Sequence, residues 1–319
     1  MPSQSDDTFA GLTWSPAIRL PEDRDVCLGV PFGYPPDPTT SPPRVGAMVH
    51  LFYEDLATET RDVLCNIPGP VDLLITTDTS AKRQVIESVF TSWRNGTVDV
   101  HVVPNRGADI APRLISLRDA HARYDLVLYL HGKKSPGWAH GSRWRKYLYQ
   151  SLAGSADLVR SIFAAFAASP ELGLMLPWHW APLQQSIDWG YSFADASELA
   201  ARMGIELQLT EPLDFPTGSM FWARPAALRP LLDLGLTATD FQPGHGNDAT
   251  YAHAIERLFV RVCERTGHTW IKIADPALIG DCRGLHAVHS RHELLRLLRE
   301  LPLALSDPAL QPRQGEEQA

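Results

Sequence analysis

The sequence predicts an α/β protein with a mostly parallel central sheet and helices on both of its faces. From Val45 onward, short apolar runs of strand length alternate with longer segments of helical spacing. Such alternation is typical of successive βα units. The run Leu126–Leu130 is apolar at every position, which indicates a central strand buried on both faces. A chain of 319 residues that is 44% hydrophobic can bury a core of this size as one domain.

The first half of the chain supplies regular βα units. VDLLITT is rich in strand-forming residues, and VDVHVV alternates apolar and polar positions. The predicted strands are Val45–Phe52, Val71–Thr77, Val98–Val103 and Leu126–Leu130, and the predicted helices are Asp55–Cys65, Ser80–Phe90 and Asp109–Ala122.

The second half of the chain is less regular. We expect Leu172–Leu176 to be a short buried strand, Phe215–Ala223 to be a strand, and Thr269–Ile273 to be the last one. Proline is tolerated in the first turn of a helix, as in the segment that starts at Pro225. The predicted helices are Ser142–Leu152, Ala156–Ala168, Ala194–Met203, Pro225–Leu234, Asp248–Arg261 and His289–Glu300.

Two flanking regions are expected to lie outside the domain of residues 45–275. Residues 1–44 read as a Pro-rich arm or linker, because proline removes donors and fixes φ. The D-x-D of Asp23 and Asp25 lies in this arm and is interpreted as surface charge. Residues 276–319 are expected to form a C-terminal helix and a disordered tail.

Charge and composition exclude several functional classes. A net charge of -8 without a long basic run argues against nucleic-acid binding. Apolar stretches fall short of a membrane span, and the first residues lack the basic start and apolar core of a signal peptide. The four widely spaced cysteines form no CxxC pair, so we expect free thiols in a reducing cytoplasm.

Polar clusters follow three of the predicted parallel strands, whose carboxyl ends form the usual ligand-binding edge of an open sheet. An acid at such an end can bind a ribose or a base, an arginine can pair with phosphate, and a Lys-Lys loop suits an anion such as a diphosphate. Helix caps, a surface arginine and a solvated Lys-Lys turn are the alternatives. The clusters comprise Asp78 after the second strand, Asn105, Arg106 and Asp109 after the third, and His131, Lys133, Lys134 and Ser135 after the fourth.

Two further groups lie in the second half. Asp248 and Glu256 are the best candidates for a general base, because a carboxylate at the mouth of a cleft can deprotonate a hydroxyl. An N-cap and surface ion pairs on an ordinary helix are the alternative, and His253 shares this helix. Trp178 and Trp180 could stack on sugar rings, although aromatic clusters are more often core.

Seven motifs occur in the order found in one protein family and cover residues 45–265. They resemble the rhamnan synthesis protein F family, bacterial polysaccharide glycosyltransferases with a GT-A-type, Rossmann-like fold. This chain has Ala108 where the family usually has a second Arg, and Gly132 where it often has Thr. The motifs are VHLFYEDL (49–56), LITTDTS (74–80), PNRGADIAP (104–112), YDLVLYLHGKKS (124–135), WRKYL (144–148), DFPTGSMFWARPAAL (214–228) and AHAIERLF (252–259).

The resemblance implies inverting transfer of a sugar, typically rhamnose, from a nucleotide-activated donor to a surface glycan. The donor could be dTDP-rhamnose and the acceptor a glycan or a lipid-linked glycan, so contact with the inner face of the cell membrane is expected. Asp78 would lie near the nucleoside, Asn105, Arg106 and Asp109 in the donor pocket, and His131, Lys133 and Lys134 at the diphosphate. Ser219, Trp222, Trp178, Trp180 and His253 would form the acceptor side, with Asp248 nearest the catalytic acid.

A metal requirement stays open. Metal-dependent sugar transferases place acidic ligands after the fourth strand, because Mg²⁺ and Mn²⁺ prefer hard oxygens. This chain has His131 and Lys133 there, so side-chain cations could replace a metal and no resident cofactor is assigned. The missing acidic motif also allows a non-catalytic glycan-binding or scaffold protein. A weaker alternative is a metallohydrolase that uses His286, His289 and His292.

Overall fold

The computed structural model describes residues 12–35, 42–134, 140–243, 250–279, 282–301 and 305. Nine strands within these ranges form one sheet, in the order β4-β3-β2-β5-β7-β6-β8-β1-β9. The strands are β1 (Cys27–Gly29), β2 (Val45–His50), β3 (Val71–Thr77), β4 (Val98–Val102), β5 (Leu126–His131), β6 (Leu172–Pro177), β7 (Phe221–Ala223), β8 (Thr269–Ala274) and β9 (Leu285–His286). Neighbouring strands in it are parallel, except that β7 runs antiparallel to both β5 and β6.

Helices cover both faces of the sheet, and the α/β prediction is confirmed. One face packs against α1, α2, α4, α5 and α10, and the other against α3, α6, α7 and α8. The helices are α1 (Ala57–Leu64), α2 (Ser80–Phe90), α3 (Ile110–Leu114), α4 (Gly141–Ala153), α5 (Ala156–Ala168), α6 (Phe193–Arg202), α7 (Arg229–Leu232), α8 (Tyr251–Arg265), α9 (Pro276–Ile279) and α10 (Arg291–Glu300).

Strand β5 shows why its sequence is apolar throughout. Leu126, Leu128 and Leu130 enter the core on one face, whereas Val127 and Tyr129 enter the core on the other. Successive side chains of a strand point to opposite faces, so a strand covered on both sides needs no polar position. β5 pairs with β2 along its whole length, which places the loop after His131 at the middle of the carboxyl edge.

The expected boundaries at residues 45 and 275 are wrong, because both flanks contribute to the sheet. β1 comes from the Pro-rich arm and pairs with β8 on one side and with β9 on the other. Asp25, expected to be surface charge, forms an ion pair with the buried Lys272 of β8. A three-residue strand has no readable periodicity, which explains why the sequence gives no sign of β1.

The predicted strand Phe215–Ala223 is shorter than expected. Only Phe221–Ala223 is extended, because Gly218 and Ser219 both have a left-handed backbone, with φ of 86° and 55°. Left-handed residues break a strand, and for Ser this conformation costs about 1 kcal/mol or more. The turn at Gly218 and Ser219 lies at the carboxyl edge of the parallel strands, because β7 starts there.

The predicted helix Asp109–Ala122 is divided into α3 and a 3₁₀ turn at Arg118–Arg123. The Nδ1 atom of His121 lies 3.0 Å from the carbonyl oxygens of Leu117 and Arg118. Carbonyl oxygens can only accept hydrogen bonds. The Nδ1 atom therefore carries the proton, and the Tyr129 hydroxyl donates to Nε2 at 2.6 Å.

We expect His121 to make stability depend on pH. Burial lowers the pKa of its imidazole from 6.5 to about 4. Between these values the unfolded chain binds a proton that the folded chain does not, so the free energy of unfolding falls as the pH falls from 6.5 to 4. In urea titrations, His121→Gln should flatten this dependence by up to about 1.4 kcal/mol per pH unit. His292→Gln, at an exposed position, is the control, and equal slopes for His121→Gln and wild type would contradict the prediction.

Within the described ranges, no single helix is long and apolar enough to cross a bilayer. Helices α4 and α5 meet the length and composition test only as a pair, and they are bent by 60° at the break between them.

Candidate functional site

A cluster of ionisable side chains lies at the carboxyl edge of the sheet, where β5 and the start of β7 meet α3 and α8. We call it the edge cluster: Asp109, Arg113, His131, Lys133 and Glu256, together with the turn at Gly218 and Ser219. Three of its side chains come from different elements and bind the same turn through Gly218 and Ser219. The sequence predicted Asp109, His131, Lys133, Ser219 and Glu256 as site residues, and the structure brings them together.

Glu256 is held by this turn through one carboxylate oxygen. Its Oε1 accepts hydrogen bonds from the Gly218 N–H and from the Ser219 hydroxyl, both at 2.9 Å. Glu256 is half-buried on α8; burial lowers the pKa of the Lys133 ammonium, and the charge of Glu256 opposes this shift. One oxygen is therefore fixed, while the carboxylate keeps a second oxygen for other contacts.

Gly218 is needed in this turn for two reasons. Its φ of 86° is unfavourable for residues with a side chain, and a Cβ atom would lie 2.9 Å from Leu148 Cδ1 and 3.0 Å from the Trp144 ring. The turn therefore packs directly on α4. This close packing holds the Gly218 N–H in position to donate to Glu256.

His131 is neutral rather than the expected cation at the diphosphate. Its Nε2 donates to the Gly218 carbonyl at 2.8 Å and lies 3.9 Å from Asp109. Burial lowers the pKa of His131, and the Asp109 charge offsets this only in part. The imidazole therefore acts as a hydrogen-bond donor to the turn, and its role in balancing phosphate charge stays a prediction.

Asp109 and Arg113 form a buried ion pair on α3. Burial would raise the pKa of Asp109, but the basic side chains around it, which include Arg113, outweigh burial and lower the pKa, so the carboxylate is ionised. Arg113, 3% exposed, also donates to the Ser219 carbonyl at 2.9 Å. The sequence analysis missed Arg113, although its spacing of four residues from Asp109 is the spacing of helical ion pairs.

The two lysines of the loop have different environments. Lys133 lies with Nζ 4.2 Å from the centre of the Trp144 ring, and burial lowers its pKa against the charges of Glu256 and Asp109. Lys134 pairs with Asp55 at 2.6 Å. Both cations thus have partners in the structure, so an anionic ligand would have to compete with Asp55 for Lys134.

The other predicted donor residues lie along the same edge, outside the edge cluster. Asp78 accepts from Lys82 at 2.7 Å, and Arg106 donates to the Phe241 carbonyl at 2.8 Å. Asn105 is exposed. Asp248, the first catalytic candidate, lies outside the described residues, and the N-cap of α8 is Thr250.

The aromatic prediction needs correction at Trp222. Its side chain is fully buried, and its Nε1 donates to the Leu152 carbonyl at 3.0 Å, so the indole belongs to the core and offers no face to an acceptor. Trp178 is 9% exposed and packs over Lys272. Trp180 is half-buried beside the His140 ring, and His253 lies 2.6 Å from the Thr250 hydroxyl through Nδ1.

A second buried polar network, absent from the sequence predictions, adjoins the turn. Lys272, 1% exposed, donates to Asp214 at 2.6 Å and to Asp25. Asp214 also lies 2.8 Å from Nε2 of His179, whose Nδ1 lies 3.3 Å from the Thr217 hydroxyl. Burial alone would raise the pKa of Asp214, but Lys272 and His179 outweigh it, so the pKa is lowered and the carboxylate is ionised.

The part of the chain that the structure describes contains no group of three or more His, Cys, Asp or Glu side chains that could hold a metal ion.

Comparisons with known proteins agree with the resemblance seen in the motifs. The family model described as rhamnan synthesis protein F matches residues 35–267. Two proteins, each named uncharacterized protein WxcX, from Xanthomonas campestris pv. campestris strains B100 and ATCC 33913, are 37% identical over 231 residues. The aligned region is 71% of this chain and 32% of each relative, so the chain matches about a third of their length. Since the family model spans well over half of the chain, the protein belongs to the rhamnan synthesis protein F family.

Proposed function

We propose that this protein is a glycosyltransferase of polysaccharide synthesis that transfers rhamnose from a nucleoside-diphosphate donor to a growing glycan. The observation that carries the proposal is Glu256, a carboxylate fixed at the carboxyl edge of the sheet within electrostatic reach of Lys133. Family membership supports the same class of reaction. Displacement of a diphosphate from a sugar requires a base for the attacking hydroxyl and a cation for the leaving diphosphate.

In the proposed reaction, Glu256 takes the proton of an acceptor hydroxyl. The hydroxyl oxygen forms a bond to the anomeric carbon while the bond from that carbon to the diphosphate oxygen breaks, which inverts the configuration. The nucleoside diphosphate leaves with the electron pair, and Lys133 balances its charge. Asp248 is the second candidate for the base and lies outside the described residues.

The proposed donor site uses residues along the same edge. Asp78 would contact the nucleoside, Asn105 and Arg106 would line the pocket, and Lys134 would turn from Asp55 to the diphosphate. The Lys134–Asp55 pair is partly exposed, and exposed pairs contribute only about 0–1 kcal/mol, so exchanging Asp55 for a phosphate costs little. Asp109 would hold Arg113 and His131 in place rather than touch the donor.

The remaining assignments are part of the proposal. The donor is dTDP-rhamnose, and the acceptor is a glycan or a lipid-linked glycan reached at the inner face of the cell membrane from the cytoplasm. A divalent metal is not required by the mechanism above, and nucleic acid is not a partner. Trp180, Ser219 and His253 stay predicted acceptor residues.

A second candidate is a non-catalytic glycan-binding or scaffold protein with the same fold. The observation that favours it is that both ammonium groups of the loop already have partners within the protein, Lys134 with Asp55 and Lys133 with the Trp144 ring. A protein of this kind would bind glycans without turning over a nucleotide sugar.

Lys133→Met tests the donor site by removing the charge while keeping an apolar stem on Trp144. Charge-assisted hydrogen bonds contribute about 1.5–3 kcal/mol, so the Kd for dTDP-rhamnose should rise about 10- to 100-fold in calorimetry. Lys146→Met, at an exposed position on α4, is the control. Donor affinity equal to that of wild type in Lys133→Met would remove Lys133 from the donor site.

A further inference from the structure

The Thr217 side chain is half-buried and contacts the second buried network through its hydroxyl. Thr217 is half-buried, whereas His179, Asp214 and Lys272 behind it are 4%, 2% and 1% exposed. The contacts run in one line, from the Thr217 hydroxyl to His179 Nδ1, from His179 Nε2 to Asp214, and from Asp214 to Lys272. The hydroxyl of a half-buried threonine thus contacts the first of three buried groups that are joined in a row.

The charge of Asp214 sets the direction of the hydrogen bonds that it accepts. Asp214 is ionised and accepts from Lys272, so His179 presents the Nε2–H to it. The other ring nitrogen, Nδ1, lies 3.3 Å from the Thr217 hydroxyl, so the ring held by Asp214 also holds this side chain. A hydroxyl held in this way can exchange a hydrogen bond with a ligand hydroxyl.

Thr217 also adjoins, in the chain, the turn that binds the proposed base. It directly precedes Gly218 and Ser219, whose N–H and hydroxyl hold Glu256. Any acceptor sugar whose hydroxyl reaches Glu256 must come close to this turn. The second buried network therefore contacts Thr217, and the edge cluster contacts Gly218 and Ser219, the next two residues of the chain.

We propose that Thr217 binds the acceptor sugar through a hydrogen bond between its hydroxyl and a sugar hydroxyl, and that His179, Asp214 and Lys272 are positioning residues that hold the Thr217 side chain. The inference rests on the proposed function, because it is the glycosyl acceptor that Thr217 would contact. It adds a contact between the acceptor sugar and a hydroxyl that the buried network holds in place.

Thr217→Val and Thr217→Ser form the matched pair for the test, because valine keeps the shape and removes the oxygen, while serine keeps it. With dTDP-rhamnose as donor and a synthetic rhamno-oligosaccharide as acceptor, Thr217→Val should raise the acceptor KM about 3- to 10-fold, the range for one neutral hydrogen bond. We expect donor Kd to stay at the wild-type value. Thr217→Ser should restore the acceptor KM, and His179→Gln should raise it as Thr217→Val does.

An unchanged acceptor KM in Thr217→Val would overturn the inference while leaving the proposed function intact. If wild type neither hydrolyses nor transfers the donor sugar, the proposed function fails, and calorimetry with the same oligosaccharide decides on Thr217. Weaker binding by Thr217→Val than by wild type and Thr217→Ser would then support the contact. Equal binding by the three proteins, or no binding by wild type, would overturn it.

Discussion

Glu256→Gln is expected to lower the kcat of sugar transfer by about 10²- to 10⁴-fold, the usual contribution of a general base. Glutamine keeps an oxygen that can accept from the Gly218 N–H and the Ser219 hydroxyl, so the turn should hold its shape. The amide cannot take a proton from the acceptor hydroxyl. Donor Kd should therefore change far less than kcat, which initial-rate kinetics and calorimetry measure separately.

Glu198→Gln, at an exposed position on α6, is the matched control for this substitution. A Glu256→Gln protein with wild-type kcat would remove Glu256 from the proton transfer. Asp248→Asn would then be the decisive comparison, because Asp248 is the other candidate base. Loss of transfer in Asp248→Asn, with nucleotide binding retained, would assign the proton transfer to Asp248.

Lys272→Met is expected to lower the free energy of unfolding by about 3–5 kcal/mol, the cost of breaking a buried ion pair by removing one partner. Lys272 is the ammonium that pairs with both Asp214 and Asp25, and methionine fills similar space without a charge. The substitution leaves the buried carboxylate of Asp214, 2% exposed, without its ammonium partner, while the hydrogen bond to His179 remains. Urea unfolding monitored by circular dichroism measures the change.

The control for this prediction is an ion pair that water reaches. Arg229 pairs with Asp233 on the surface, with side chains 70% and 55% exposed, so Arg229→Met should leave the unfolding midpoint close to that of wild type. A Lys272→Met protein that is as stable as Arg229→Met would show that the buried network contributes nothing to the fold.

The parts of the fold that the sequence predicts are those with a repeating pattern. β3, α2 and α5 have the predicted bounds, because their caps and their apolar spacing are local. Thr79 and Ser155 cap these two helices as isolated side chains would, by accepting a backbone N–H three residues on. Local chemistry settles such elements without help from the rest of the chain.

The sequence predicts which residue types form the site, but not which of their side chains pair with each other. The order of βα units places His131, Lys133 and Asp109 on one edge, which any parallel sheet of this kind would do. Their charge states depend on burial and on partners from α3, α8 and β7, and no sequence spacing encodes those contacts. Lys272 shows the same limit. A single lysine in a mostly apolar strand indicates a buried acidic partner, but the sequence does not identify that partner as Asp214.

The central claim is that the edge cluster transfers a sugar, and one measurement tests it most directly. Wild type, Glu256→Gln and Glu198→Gln are incubated with labelled dTDP-rhamnose and a rhamno-oligosaccharide, and labelled oligosaccharide is quantified by mass spectrometry. We expect an acceptor extended by one deoxyhexose with wild type and Glu198→Gln, and at most about 1% of that rate with Glu256→Gln. Product formed by all three proteins at the same rate, or by none across a panel of nucleotide sugars, would contradict the account.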